Sequence, residues 1–263
     1  MKYKRLLIFA FLGLGGFLLS VDPNSVLVFP GANSASIKVL FIGNSITYYN
    51  DMPVIFKKMA AASGKDVIVN AWVRGGVILG YFAQNAKAAQ IINQKKWDYV
   101  ILQDGDYHII YPGDHPRLAS AVNFLKDLIL KNNPDTKILF HLLHALKDGL
   151  THDNVHYDYD AFTKKIIDGT EAFTRLVDLQ IAPVGMAWNE MVLNQPGIAL
   201  YDPDKMHPAY AGSYLIACVY FSAIFQETCV GNSFSGILSA DEARIIQACA
   251  TKIVLNYGKD TGI

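Results

Sequence analysis

The stretch "VLFIGNSITYYN", residues 39–50, decides how the chain is read. Four apolar residues, Val39 to Ile42, run straight into Gly43, Asn44 and Ser45. An unbroken apolar run closed by small residues marks a strand buried on both faces, as in a parallel sheet. A tight turn at Gly43–Asn44 is expected next, then a helix with Asp51 as N-cap and Met52–Pro53 in its first turn. In an open α/β sheet, ligands bind outside the carboxyl ends of the strands. Ser45 therefore stands where chemistry would be placed. A serine there can also do no more than satisfy donors at a helix start.

Outward from that turn, strand-like and helical segments alternate. Ile37–Ile42, Asp66–Trp72, Tyr99–Leu102, Lys137–Leu143 and a stretch near Asp178–Val184 read as strands. Asp51–Ala62, Leu79–Asn93, Leu118–Lys131, Tyr157–Val177, Tyr210–Phe225 and Asp241–Asn256 read as helices. Alternation at these lengths implies βαβ units, hence an α/β fold with a mostly parallel sheet covered on both faces. No internal repeat or low-complexity stretch interrupts it, so residues 36–263 are expected to form one domain.

With 263 residues, 52% hydrophobic and 17% charged, the chain can bury one large core. The 23 basic and 23 acidic residues balance and no Lys/Arg block stands out, which argues against nucleic acid as a partner. The opening "MKYKRLLIFAFLGLGGFLLSV" differs in kind. Lys2, Lys4 and Arg5 precede an apolar run from Leu6 to Leu19, a charged n-region and an h-region. Residues 1–21 thus read as an export signal, or as an anchor if uncleaved, with 22–35 as a linker. Export to the periplasm or beyond follows, with membrane attachment only through that segment. Cys218, Cys229 and Cys249 form no Cys-x-x-Cys pair and read as buried thiols, with one disulfide left open.

A nucleophilic serine needs a base within hydrogen-bond reach and a third group to orient that base. "YDPDKMHPAYAGSYL", residues 201–215, holds a suitable pair in Asp204 and His207. Three residues apart in a helical turn, they would lie on one side, so that Asp204 holds one imidazole nitrogen while the other faces a hydroxyl. Asp202 is the alternative orienting acid, and Pro208 would stiffen the entry to the next helix.

Together, the strand–"GNSIT" turn, the strand–glycine turn at Arg74-Gly75-Gly76 and the "DxxHP" block resemble the SGNH/GDSL hydrolase superfamily. The resemblance spans Ile37 to the last helix and is strongest to bacterial members with "GSYL" after the histidine, here Gly212 to Leu215. It implies a flavodoxin-like αβα sandwich, with Ser45 as nucleophile, His207 as base, Asp204 as orienting acid, and neither cofactor nor metal. Oxyanion donors would be the N–H groups of Ser45 and Gly76, with Gly75 one step away.

Two positions depart from that pattern. Asn44 stands where the literal motif has Asp. In "WDYVILQDGDYH" no Asn follows two residues after Gly105; Tyr107 stands there instead. Gln103 carries an amide NH2 and is the preferred substitute donor, with Tyr107 second. An aromatic group of Tyr48, Tyr49, Tyr107 and Tyr111 in loops after strands would suit a sugar or aryl ester, or would simply cap the core edge. Tyr48 and Tyr107 are the expected substrate-binding pair.

"THDNVHYDYD", residues 151–160, gathers His152, His156 and three acids in a loop that could bind a divalent ion, though at no standard metal spacing; the connection from Lys147 to Tyr157 reads instead as a rim or lid. His141 and His144 in "ILFHLLH" read as hydrogen-bonded structural residues. The expected function is an esterase acting on a small-molecule or glycan ester; the alternative is a glycan-binding protein that retains the fold without catalysis.

Overall fold

A computed structural model describes residues 36–105 and 107–261. The expected signal or anchor (1–21) and linker (22–35) lie outside the described residues. In chain order, β1 (Ile37–Gly43) leads to α1 (Ser45–Tyr48) and α2 (Met52–Ala62). β2 (Val67–Val73) is followed by the short helices α3 (Leu79–Ala83) and α4 (Ala88–Ile92), and β3 (Tyr99–Leu102) by α5 (His115–Asn132). β4 (Lys137–His141) precedes a hairpin of β5 (Leu150–His152) and β6 (Val155–Tyr157), then α6 (Tyr159–Val177). β7 (Gln180–Ala182), α7 (Val184–Asn194), α8 (Tyr210–Phe225) and α9 (Ala240–Thr261) complete the chain.

Five strands form a parallel sheet in the order β2-β1-β3-β4-β7. β1 lies between β2 and β3, with Phe41 beside Ala71 on one side and Ile101 on the other. The chain therefore leaves β1 in one direction and returns to its other side, and a crevice opens there at the carboxyl ends of the strands. Val39, Leu40, Phe41 and Ile42 are all buried, as an apolar run between two helical layers requires. One layer packs α2, α8 and α9 together; the other packs α3, α4 and α6 around α5.

Helix periodicity explains the layers. On α5, Leu118, Val122, Leu125 and Ile129 form an inward stripe, as do Phe162, Ile166, Phe173 and Val177 on α6. α8 is apolar all round, and every residue from Ala211 to Ile224 is buried, which makes it the central helix of its layer.

Several expected elements come out differently. The helix expected over 79–93 breaks at Asn85, whose side-chain oxygen accepts from the Lys87 N–H at 2.9 Å. The strand expected to reach Leu143 ends at His141. α7 arises just after β7, where a strand alone was expected. The 151–160 stretch is not an irregular loop; Asp153 and Asn154, at φ 49° and 62°, turn the chain between β5 and β6. Two consecutive left-handed residues suit a two-residue hairpin turn. The three cysteines are buried and unbridged. Among the described residues no helix is long and apolar enough to cross a membrane.

Candidate active site

Ser45 opens α1 directly at the end of β1, with no intervening loop. Asn44 is the cap: its Oδ1 accepts from the Ile46 N–H at 3.1 Å, and its Nδ2 donates to the Val77 carbonyl at 3.1 Å. Gly43 serves space rather than a turn. A Cβ there would stand 2.3 Å from Thr47 Oγ1 and 2.5 Å from Gln103 Oε1. The Ser45 turn is thus seated against Gln103, the residue that follows β3. Beyond α1, Asn50 and Asp51 adopt left-handed angles (φ 52° and 54°), and Asp51 makes no side-chain cap for α2.

His207 arrives from the other end of the chain. Its Nε2 lies 2.8 Å from Ser45 Oγ, and its Nδ1 lies 2.5 Å from Asp204 Oδ2. These two residues sit in a turn, not the helical turn expected, with Lys205 at φ 64°. Asp204 Oδ1 accepts from the N–H groups of Met206 (3.0 Å) and His207 (2.9 Å), which closes the turn locally. The His207 ring bond, then those two backbone donors, hold the Asp204 carboxyl down to about 2. Asp202 shapes the turn through its backbone instead: its N–H donates to the His207 carbonyl at 2.8 Å. Pro208 pairs with Tyr201 in an isolated bridge, and α8 starts two residues later.

Two further groups support His207. The Tyr49 ring lies on the His207 imidazole, with centroids 4.2 Å apart and planes 8° from parallel. On its inner side, buried His144 places Nε2 2.9 Å from the Met206 carbonyl and stacks on Trp188 at 3.9 Å. Its neighbour His141 places Nδ1 2.6 Å from the Tyr220 hydroxyl. Burial pushes His141 down to about 3 and His144 down to about 4, so both are neutral in the folded protein.

The donor role expected of Gln103 is not met. Gln103 is 1% exposed, its Oε1 accepts from the Asn44 N–H (2.9 Å) and Thr47 Oγ1 (2.8 Å), and its Nε2 donates to the Asp104 carbonyl at 2.5 Å. It braces the Ser45 turn from below. Tyr107 donates to the His144 carbonyl at 3.3 Å and packs edge-on against Phe162, so its hydroxyl is also committed. Burial raises its pKa. Gly75 and Gly76 form an exposed turn after β2, Gly76 at φ 69°. Among the described residues no acceptor meets the N–H of Ser45 or Gly76. Tyr48 reaches that turn, its hydroxyl 2.5 Å from where a Gly75 Cβ would stand.

The expected tyrosine group divides. Tyr48 stacks on Tyr49 at a centroid distance of 6.3 Å, and Tyr49 on His207, whereas Tyr111 packs on His152 of the hairpin. His152 pairs with Asp153 at 3.3 Å, and among the described residues no group of three His, Cys, Asp or Glu side chains is arranged to hold a metal. A cleft of about 760 Å3 lies beside the turn, between α3 and α5, with Ile78, Tyr81, Asp104 and Phe124 among its walls. Neither Ser45 nor His207 lines it. Its walls begin one residue from Val77 and Gly105, which both abut Asn44.

Sequence reasoning missed Asn50. Its Nδ2 donates to the Pro208 carbonyl (2.8 Å) and to Ser213 Oγ (3.0 Å), while Ser213 Oγ donates to the Tyr49 carbonyl at 3.0 Å. No local pattern announces a contact across more than 150 residues of chain.

No family model and no curated protein sequence matches the chain. Solved structures do. A DUF4886 family protein from Bacteroides uniformis aligns over 84% of this chain and 95% of its own, at 21% identity and a TM-score of 0.74. A proposed SGNH hydrolase from Slackia heliotrinireducens aligns over 72% and 99%, at 19% identity and a TM-score of 0.58. The acetyl xylan esterase AlAXEase aligns over 72% and 100%, at 16% identity and a TM-score of 0.56. The fold that carries Ser45 and His207 is that of the SGNH/GDSL hydrolases.

Proposed function

We propose that the protein is an exported serine esterase that removes small acyl groups, acetyl foremost, from carbohydrate or similar esters. The observation that carries this reading is the continuous line Ser45 Oγ–His207 Nε2 and His207 Nδ1–Asp204 Oδ2 at the carboxyl edge of the sheet. In the reaction, Ser45 Oγ bonds to the acyl carbon as its proton passes to His207 Nε2, and the carbonyl π pair moves onto oxygen. The N–H groups of Ser45 and Gly76 are the donors assigned to that oxyanion, the kind of group on which such catalysis chiefly rests. Collapse expels the alcohol, which takes the proton from His207. Water then attacks the acyl-enzyme, losing a proton to His207, and Ser45 recovers that proton as the acid departs. No cofactor enters.

Support for a hydrolase comes from the fold shared with an acetyl xylan esterase. The mostly apolar cleft between α3 and α5 would take the larger part of the ester, with Tyr48 at its approach. Export rests on the charged and apolar opening of the sequence. A second reading, glycan binding without catalysis, is favoured by one observation, the commitment of the Gln103 amide to Asp104. Hydrolysis of p-nitrophenyl acetate by the protein and by Ser45→Ala separates the two. Turnover lost in the variant is expected; equal rates would leave binding as the function.

A further inference from the structure

Asn50 and Asp51 are consecutive non-glycine residues in left-handed backbone, at φ 52° and 54°. Such strain persists only where surrounding structure fixes it, and it gathers at functional sites. Here the fixing groups are Pro208 and Ser213. The Asn50 amide is held by the Pro208 carbonyl and Ser213 Oγ, and Ser213 Oγ holds the Tyr49 carbonyl. The kink sets the Tyr49 ring 4.2 Å from the His207 imidazole and 8° from parallel to it.

The His207 ring is held at its two nitrogens, Nδ1 by Asp204 and Nε2 by Ser45 Oγ. Neither bond stops the ring from rotating about the line between them, and His207 keeps 20% of its side-chain surface open. A flat partner on the ring face removes that freedom and keeps Nε2 aimed at Ser45 Oγ. We infer that Tyr49 is a positioning residue for His207, and that the Asn50–Ser213 clamp across the nucleophile and base segments holds Tyr49 in place. This deepens the esterase reading and rests on it for its kinetic consequence, though not for its geometry.

The inference separates face from hydroxyl. Tyr49→Leu is expected to lower kcat by about 10- to 100-fold while KM stays within about twofold, since the base acts only in the transition state. Tyr49→Phe, which keeps the ring face, restores the rate to within about threefold. Asn50→Gly allows the left-handed backbone but removes the amide, and is expected to lower kcat in the same manner. An equal fall for Phe and Leu, or a loss expressed in KM, overturns the assignment.

A second measurement does not need turnover. The stacked Tyr49 ring shifts the His207 ring protons upfield in the NMR spectrum. That shift should persist in Tyr49→Phe, vanish in Tyr49→Leu and shrink in Asn50→Gly. Should the wild-type protein hydrolyse no ester, the spectrum alone decides. An undiminished shift in Asn50→Gly then refutes the clamp whatever the fate of the esterase reading.

Discussion

Asn44 shows how much one side chain can settle. It must accept from the Ile46 N–H to cap α1 and donate to the Val77 carbonyl to hold the next loop. An amide does both, whereas a carboxylate does only the first. Asn44→Asp is therefore expected to destabilise the protein by about 1–3 kcal/mol, since a buried acceptor would face the Val77 carbonyl with no proton between them. An unchanged urea midpoint would show that Val77 is held by other means. Asp204 lies at the opposite extreme. Held down to about 2 by His207 and two backbone donors, it stays ionised until strongly acid pH. Its folded pKa lies below the ordinary carboxylate value, so its contribution to stability is present above about 3.8 and lost as pH falls towards 2. Loss of activity on mild acidification would not be due to its protonation.

Among the elements, the junction of β1 with α1 is the most tightly determined. Gly43 leaves room for Thr47 and Gln103, both buried and bonded to one another. Gly43→Ala is expected to cost about 1–3 kcal/mol through overpacking and to reduce hydrolysis by displacing Ser45, read from denaturant midpoint and rate together. A stable, fully active variant would mean that Gln103 yields without moving the turn. That a glycine and a serine follow a buried strand was legible in the sequence, because apolar runs and small residues are local signals. So was the Asp204–His207 spacing, although its backbone proved a turn with Lys205 left-handed rather than helix. The fate of Gln103 was not legible. Whether an amide at a strand end faces a ligand or the neighbouring turn depends on which partners arrive from elsewhere, here Asn44 and Thr47. α7 was not legible for a related reason: its start abuts the stretch near Asp178–Val184 that reads as strand, and its seat depends on Gly185, which admits the Leu143 carbonyl to within 2.1 Å of a would-be Cβ.

For the molecule as a whole, the buried histidines set the response to acid. His141 and His144 are neutral when folded, their pKa values lowered to about 3 and about 4 by burial. Unfolded, each titrates at its ordinary 6.5. Between 6.5 and 4 the unfolded chain binds more protons, so stability falls as pH falls, by up to about 1.4 kcal/mol per unit for each histidine. Urea midpoints at pH 7, 5.5 and 4.5 should drop accordingly, and His141→Asn should flatten the slope; the same slope in both proteins would refute this origin. The Ser45–His207 bond joins residues 162 positions apart, with β3, β4 and β7 laid down between them. On the esterase reading, Ser45 would remain an inert alcohol through most of synthesis or refolding. It would gain its base only when the segment that leads into α8 docks and delivers His207, a built-in delay between acquiring structure and acquiring chemistry.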